Sequence, residues 1–121
     1  WFLKATNNDY APSQYMIGLM YHQGHGVAIN FERARLWFLK AAKQGYANAQ
    51  FMYAYMIQSG EGEKSDPSRA MVWALVAEMN GKTDSVAITV PASMTMSELE
   101  VNTAEKIANE CFQSNYQNCP D

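Results

Sequence analysis

Tryptophan occurs three times in this chain, at 1, 37 and 73, so the same offset of 36 residues separates each from the next. The neighbours repeat with it: Trp1-Phe2-Leu3-Lys4-Ala5 returns as Trp37-Phe38-Leu39-Lys40-Ala41, and more weakly as Trp73-Ala74-Leu75-Val76-Ala77. Tyr10-Ala11 pairs with Tyr46-Ala47, Gln14 with Gln50, Met16 with Met52 and Met20 with Met56. Gly24 and Gly26 pair with Gly60 and Gly62, and Arg33-Ala34 with Arg69-Ala70. Self-similarity at a fixed period of about 20–50 residues is the mark of stacked supersecondary units, each unable to bury its apolar face alone. The repeat restricts the chain to a solenoid-like array before any other property is considered.

Each cycle reads as two helices. Pro12 stands where the first turn of a helix tolerates proline, and Tyr15, Ile17, Leu19, Met20 and Tyr21 follow it to about His22. Gly24-His25-Gly26 breaks that helix, and Asn30 is placed to cap the next, which carries Ala34, Trp37, Phe38 and Ala41 to about Lys43 before Gly45 ends it. The second cycle offers Asn48 as a cap, a helix over 49–58, a Gly60-Glu61-Gly62 break, and Asp66-Pro67 as cap and first residue of a helix ending near Asn80-Gly81. Beyond Gly81, Val86-Ala87-Ile88-Thr89-Val90-Pro91 mixes β-branched residues with proline and predicts a distorted helix or a loop. Thr95-Met96-Ser97-Glu98 has the form of a capping box, followed by a stripe of Val101, Ala104, Ile107, Ala108, Cys111 and Phe112. End repeats of an array are atypical because their outer face meets water, and this last helix fits that part.

The expected fold is therefore all-α: an α/α superhelix of helix–turn–helix repeats with a C-terminal capping helix. We read residues 1–121 as one domain, with 1–9 the tail of a truncated repeat, 10–45 and 46–81 two repeats, and 82–121 a degenerate repeat and cap. The front half of one more repeat is expected upstream of Trp1. Alanines at 34, 41, 42 and 70 admit close helix contact, and the three indoles are expected to fill the gaps between hairpins, each removing about 150–250 Å² from water.

A net charge of −3 gives no basic stripe to displace counterions from phosphate, which argues against nucleic acid. No apolar run approaches the roughly 20 residues that span a bilayer, so no membrane insertion is expected.

Two strings of residues carry a family resemblance. One is Gln14-Tyr15-x-x-Gly18-x-Met20-Tyr21-x-x-Gly24-x-Gly26-Val27, continued by Ala34-x-x-Trp37-Phe38-x-Lys40-Ala41-Ala42-x-x-Gly45. The other is Ala47-x-Ala49-Gln50-Phe51, Gly60-x-Gly62, Arg69-Ala70 and Trp73. Together they resemble the Sel-1-like repeat family, a relative of the tetratricopeptide repeats, over residues 1 to about 81. The second cycle departs at Ala54 and Ile57, where the first has Gly18 and Tyr21, and Phe38 becomes Ala74. The resemblance implies a right-handed solenoid whose inner surface holds proteins or peptides, acting as a non-catalytic scaffold or adaptor in a bacterial envelope setting. A cysteine-rich branch is associated with β-lactam binding or slow hydrolysis, and carries a cysteine pair in every repeat. Here no cysteine precedes Cys111, so that activity is not carried over. The alternatives to a binding scaffold are an enzyme acting on a cell-wall or β-lactam compound and a structural spacer in a longer array.

The candidate partner-binding residues lie on the first helix of each cycle. Tyr15, Met16, Leu19 and His22 share one side, and Phe51, Met52, Tyr55 and Gln58 take the equivalent places. Stacking would align these rows on the inner surface, where Tyr and Met serve as large or adaptable contacts. Tyr15 and Phe51 are expected to pack between helices. His22 and His25 lack converging ligands and read as solvated turn residues, not as a metal site. Glu61, Glu63 and Asp66 read as a solvated acidic turn, not a catalytic carboxylate pair. No nucleophile motif or phosphate loop is present, and no cofactor is expected. Cys111 and Cys119 are read as a disulfide closing a short loop, the alternative being two free thiols. A bond would place the protein in the periplasm or outside the cell.

Overall fold

The computed structural model describes residues 11–61, 65–117 and 119–120. Trp1 and the expected repeat tail 1–9 fall outside them, as do Gly62 and Glu63. Six α-helices and one 3₁₀ turn make up the described residues, without a strand: α1 (Ala11–Gln23), α2 (Phe31–Ala42), α3 (Ala47–Ser59), α4 (Pro67–Met79), a 3₁₀ turn (Thr83–Ser85), α5 (Val86–Met94) and α6 (Glu98–Gln113). Their order and packing are those of an α/α solenoid: α1 lies on α2, α2 on α3, and α3 on α4, while α4 is enclosed by α3, α5 and α6.

The helix starts follow from local chemistry. The Asn30 side chain accepts from the Arg33 backbone N–H at 3.1 Å, and Asp66 accepts from Arg69 N–H at 3.2 Å ahead of Pro67. Two expected caps are displaced. The residue ahead of α3 is Tyr46, whose side chain makes no capping bond, and Asn48 lies inside the helix. The capping box is Ser97 with Glu100 rather than Thr95 with Glu98: Ser97 Oγ accepts from Glu100 N–H at 3.1 Å, and Glu100 Oε1 accepts from Ser97 N–H at 3.0 Å. Thr95 instead donates to the Ala92 carbonyl, finishing α5. α5 is a nine-residue helix even with Pro91 inside it. Burial of Ile88, Thr89 and Ala92 against α4 and its neighbours outweighs the hydrogen bond that proline removes.

The 36-residue offset returns in the contacts. Gln44 Nε2 donates to Gln14 Oε1 at 2.9 Å, and one repeat on Asn80 Nδ2 donates to Gln50 Oε1, also at 2.9 Å. Gln50 Nε2 further donates to the Ala42 carbonyl at 3.0 Å, tying the second repeat to the end of α2. A Cβ on Gly18 would lie 2.6 Å from Phe38 Cε1, so the glycine is what lets the phenyl ring in. In the next repeat Ala54 stands for Gly18 and Ala74 for Phe38, and all three alanine and phenylalanine positions are fully buried. The two departures from the repeat pattern compensate each other: the methyl group becomes allowed where the ring is lost.

The indoles do not share one environment. Trp73 is fully buried, edge-on to Tyr53 at 5.4 Å between centroids, with its N–H donated to the Pro120 carbonyl at 2.6 Å. Trp37 is only half-buried, with the Lys40 ammonium 4.6 Å from its ring. The expectation of equivalent core tryptophans is corrected here. Among the described elements α2 packs chiefly on α1 and α3, whereas α6 and the C-terminal tail close over α4.

The tail returns through a tight reversal. Asn115 and Tyr116 both have positive φ, 57° and 66°, and the Tyr116 N–H reaches back to the Cys111 carbonyl at 2.9 Å. The Tyr116 hydroxyl then takes a hydrogen bond from Asn80 Nδ2 at 2.9 Å, and its ring lies against Gly45, where a Cβ would stand 3.0 Å away. Gly45 has φ of +87°, so a side chain there would be strained as well as crowded.

Candidate functional site

The solvent side of α1 and α3 is built by helical spacing. Residues three and four apart share a face, so Met16, Leu19 and His22 line up on α1 and Met52, Tyr55 and Gln58 on α3. The structure brings the two rows together. The Tyr55 ring meets the His22 ring edge-on at 6.4 Å, joining one repeat to the next. Met16 and Tyr55 are the open members, 45% and 42% exposed. Leu19 and Met52 are half-buried against the core, and Gln58 is half-buried too. Tyr15 is wedged between Phe38 at 5.7 Å and Tyr46 at 5.3 Å, and burial, followed by the neighbouring Tyr46 hydroxyl, raises its pKa. Phe51, its counterpart, has the Lys82 ammonium 5.4 Å from its ring.

His22 is not a solvated turn residue. It lies in the last turn of α1 with its side chain 16% exposed, its ring close to Phe31 and Phe38, and its Nε2 3.0 Å from Glu61 Oε1. Glu61 correspondingly leaves the solvated acidic turn expected of it, and Asp66 is spent on capping α4. His25 does remain exposed, beside Gln23. The contribution of Glu61 and Phe31 to this surface was missed in the sequence. The sequence carried no signal for it: Glu61 lies past the left-handed Gly60 that ends α3, and only the fold brings it to His22. His22 Nδ1 and Gln58 Oε1 are both buried without a hydrogen-bond partner among the described residues. No group of three or more His, Cys, Asp or Glu side chains able to hold a metal ion occurs among the described residues.

At the other end, the Cys111 and Cys119 sulfurs lie within bonding distance, with Cα atoms 4.6 Å apart; Cys111 is fully buried. A cavity of about 400 Å³ between the starts of α4 and α6, floored by Val72, Ala104 and Ile107, was not anticipated from the sequence. No helix among the described residues is long and apolar enough to cross a membrane.

With this geometry in hand, the comparison with known families is decisive. The Sel1 repeat profile matches residues 11–46 and 47–82. The chain belongs to the Sel1 repeat family. The matched spans coincide with the hairpins α1–α2 and α3–α4. Among solved structures, the chain is similar to c5321, a protective antigen of uropathogenic Escherichia coli described as displaying an SLR fold. The TM-score is 0.87 at 25% identity, covering 96% of this chain and 25% of that one. It is also similar to a Sel1 repeat protein from Oxalobacter formigenes, with a TM-score of 0.72 at 26% identity, covering 97% of this chain and 50% of that one. The chain thus spans a quarter and a half of the length of these two Sel1 repeat structures. No curated protein matches it.

Proposed function

We propose that this Sel1 repeat chain is a non-catalytic scaffold that holds a protein or peptide on the inner face of its first helices. The observation that carries this reading is the joining of equivalent rows across two repeats. Met16, Leu19 and His22 run into Met52, Tyr55 and Gln58 through the His22–Tyr55 ring contact. An open methionine and an open tyrosine beside a half-buried histidine and glutamine suit a surface that binds chiefly through large, adaptable side chains. Wide use of this fold in protein–protein contact supports the same reading.

The Cys111–Cys119 pair supports a periplasmic or secreted setting, where such bonds persist. The test is affinity capture with the full-length protein and a Met16→Ala/Tyr55→Ala variant. Both side chains are open, so helical circular dichroism should be unchanged while the captured partner is lost. Identical partners with both proteins would refute this surface.

A further inference from the structure

Trp37 and Trp73 hold the same place in successive repeats, yet Trp73 is fully buried and Trp37 only half-buried. Part of the seal over Trp73 is Pro120, whose carbonyl accepts the indole N–H at 2.6 Å. Pro120 also walls the cavity of about 400 Å³ above Val72, Ala104 and Ile107. Its position is set by its immediate neighbour Cys119, which is bonded to Cys111 of α6. Cys119 packs against both apolar clusters, the one that holds Trp73 and the one that holds Cys111. The two sulfurs differ in access. Cys111 is fully buried in the last turn of α6, whereas Cys119 is half-buried. Thiol–disulfide exchange starts with a thiolate on one sulfur of the bond, and access helps to decide which.

We propose that Cys119 is a thiol-exchange site and that its bond to Cys111 is a redox-operated latch over Trp73, the co-reactant being a dithiol. The proposal rests on the Cys111–Cys119 bond and not on the α1–α3 face. A thiolate of the dithiol attacks Cys119 Sγ. The sulfur–sulfur bond breaks, its electron pair leaves on Cys111 Sγ, and that sulfur takes a proton from water. Cys119 is now in a mixed disulfide with the reagent. The reagent's second thiol displaces it, so the chain ends with two thiols and the dithiol ends as a disulfide. Pro120 then keeps the indole hydrogen bond but has lost its covalent tie to α6. One neutral hydrogen bond contributes little net against water. The carbonyl therefore exchanges the indole for solvent, water reaches the ring, and the cavity opens towards Trp73. The helices stay in place, because α4 remains enclosed by α3, α5 and α6. The bond joins residues only 8 apart, so it constrains little of the unfolded chain. Reduction thus exposes an apolar cleft between α4 and α6 that the oxidised chain keeps shut.

The test uses the full chain, with its thiols counted by alkylation before any reductant is added. Labelling of both cysteines at that stage means that no bond exists, and the latch falls with it. Glutathione is the monothiol probe and dithiothreitol the dithiol. After remaining thiols are alkylated in denaturant, chymotryptic cleavage after Tyr116 separates the two cysteines, and the glutathione adduct should lie on Cys119. Dithiothreitol should move tryptophan emission to longer wavelength and increase its quenching by iodide, with helical circular dichroism unchanged. Cys119→Ser should show the shifted emission without any reagent, and Trp73→Phe should lose the response to dithiothreitol. An adduct on Cys111 overturns the proposal, as does complete reduction that leaves emission and quenching as in the oxidised chain. Loss of helical circular dichroism on reduction overturns it too, because the bond would then be a staple of the whole fold.

Discussion

Gly18→Ala adds a single methyl group where the Phe38 ring leaves no room for it. The new Cβ would stand 2.6 Å from Phe38 Cε1 and 2.7 Å from Cδ1, about an ångström inside the 3.5–4.0 Å of a relaxed carbon contact. Phe38 is fully buried, so its ring can retreat only by displacing other core atoms. Such overpacking costs about 1–3 kcal/mol, while replacing a mid-helix glycine by alanine returns roughly 0.5–1 kcal/mol. The expected net loss is about 0.5–2 kcal/mol. Phe38→Ala alone should cost about 3–5 kcal/mol through the cavity it leaves. The two together reproduce the Ala54/Ala74 pair of the next repeat. Once the ring is gone, Gly18→Ala should turn neutral or stabilising by up to about 1 kcal/mol. The double-mutant cycle should therefore show a coupling of about 1–3 kcal/mol, read from urea melts followed by circular dichroism. Additivity within about 0.5 kcal/mol would show that the two positions do not compensate each other, and the account of the repeat's departures would fall.

Other expectations follow from the same contacts. Trp73→Ala should cost about 3–5 kcal/mol in a urea melt and Trp37→Ala less than half as much, because only Trp73 is enclosed. Gln50→Ala removes the buried link between Ala42 and Asn80 and should cost about 1–3 kcal/mol by the same assay. Bonds from Ser97, the backbone N–H before the hydroxyl, hold the Glu100 carboxyl below the usual carboxylate range. A depressed folded pKa contributes stability above the unfolded pKa and loses it as pH falls through the folded one. Thermal melts of Glu100→Gln should accordingly lie below the unmodified chain at neutral pH and converge with it in acid. The Cys111–Cys119 pair should resist alkylation in protein taken from its native compartment, and reduction should cost at most about 2.5 kcal/mol for so short a loop.

Much of this architecture is legible in the sequence. The caps Asn30 and Asp66 and the Gly45 and Gly60 stops are local chemistry, acting within one helical turn, and a linear reading captures them. The 36-residue period, too, is a property of sequence alone, and with it came the solenoid and the pairing of Met16 with Met52 and Leu19 with Tyr55. What tertiary structure decided is how identical positions are treated differently. Trp37 and Trp73 occupy one place in the repeat, yet only the second is sealed, because α6 and the tail through Tyr116 and Pro120 close on α4. His22 reads as a turn residue until the fold carries Glu61 across a distance of 39 positions to meet it. Residues 86–91 read as a distorted helix or a loop until burial of Ile88, Thr89 and Ala92 makes them part of a regular helix around Pro91. A repeat states which residues are equivalent. Burial depends on what stands next to each copy, and neighbours differ at every step of an array that has ends.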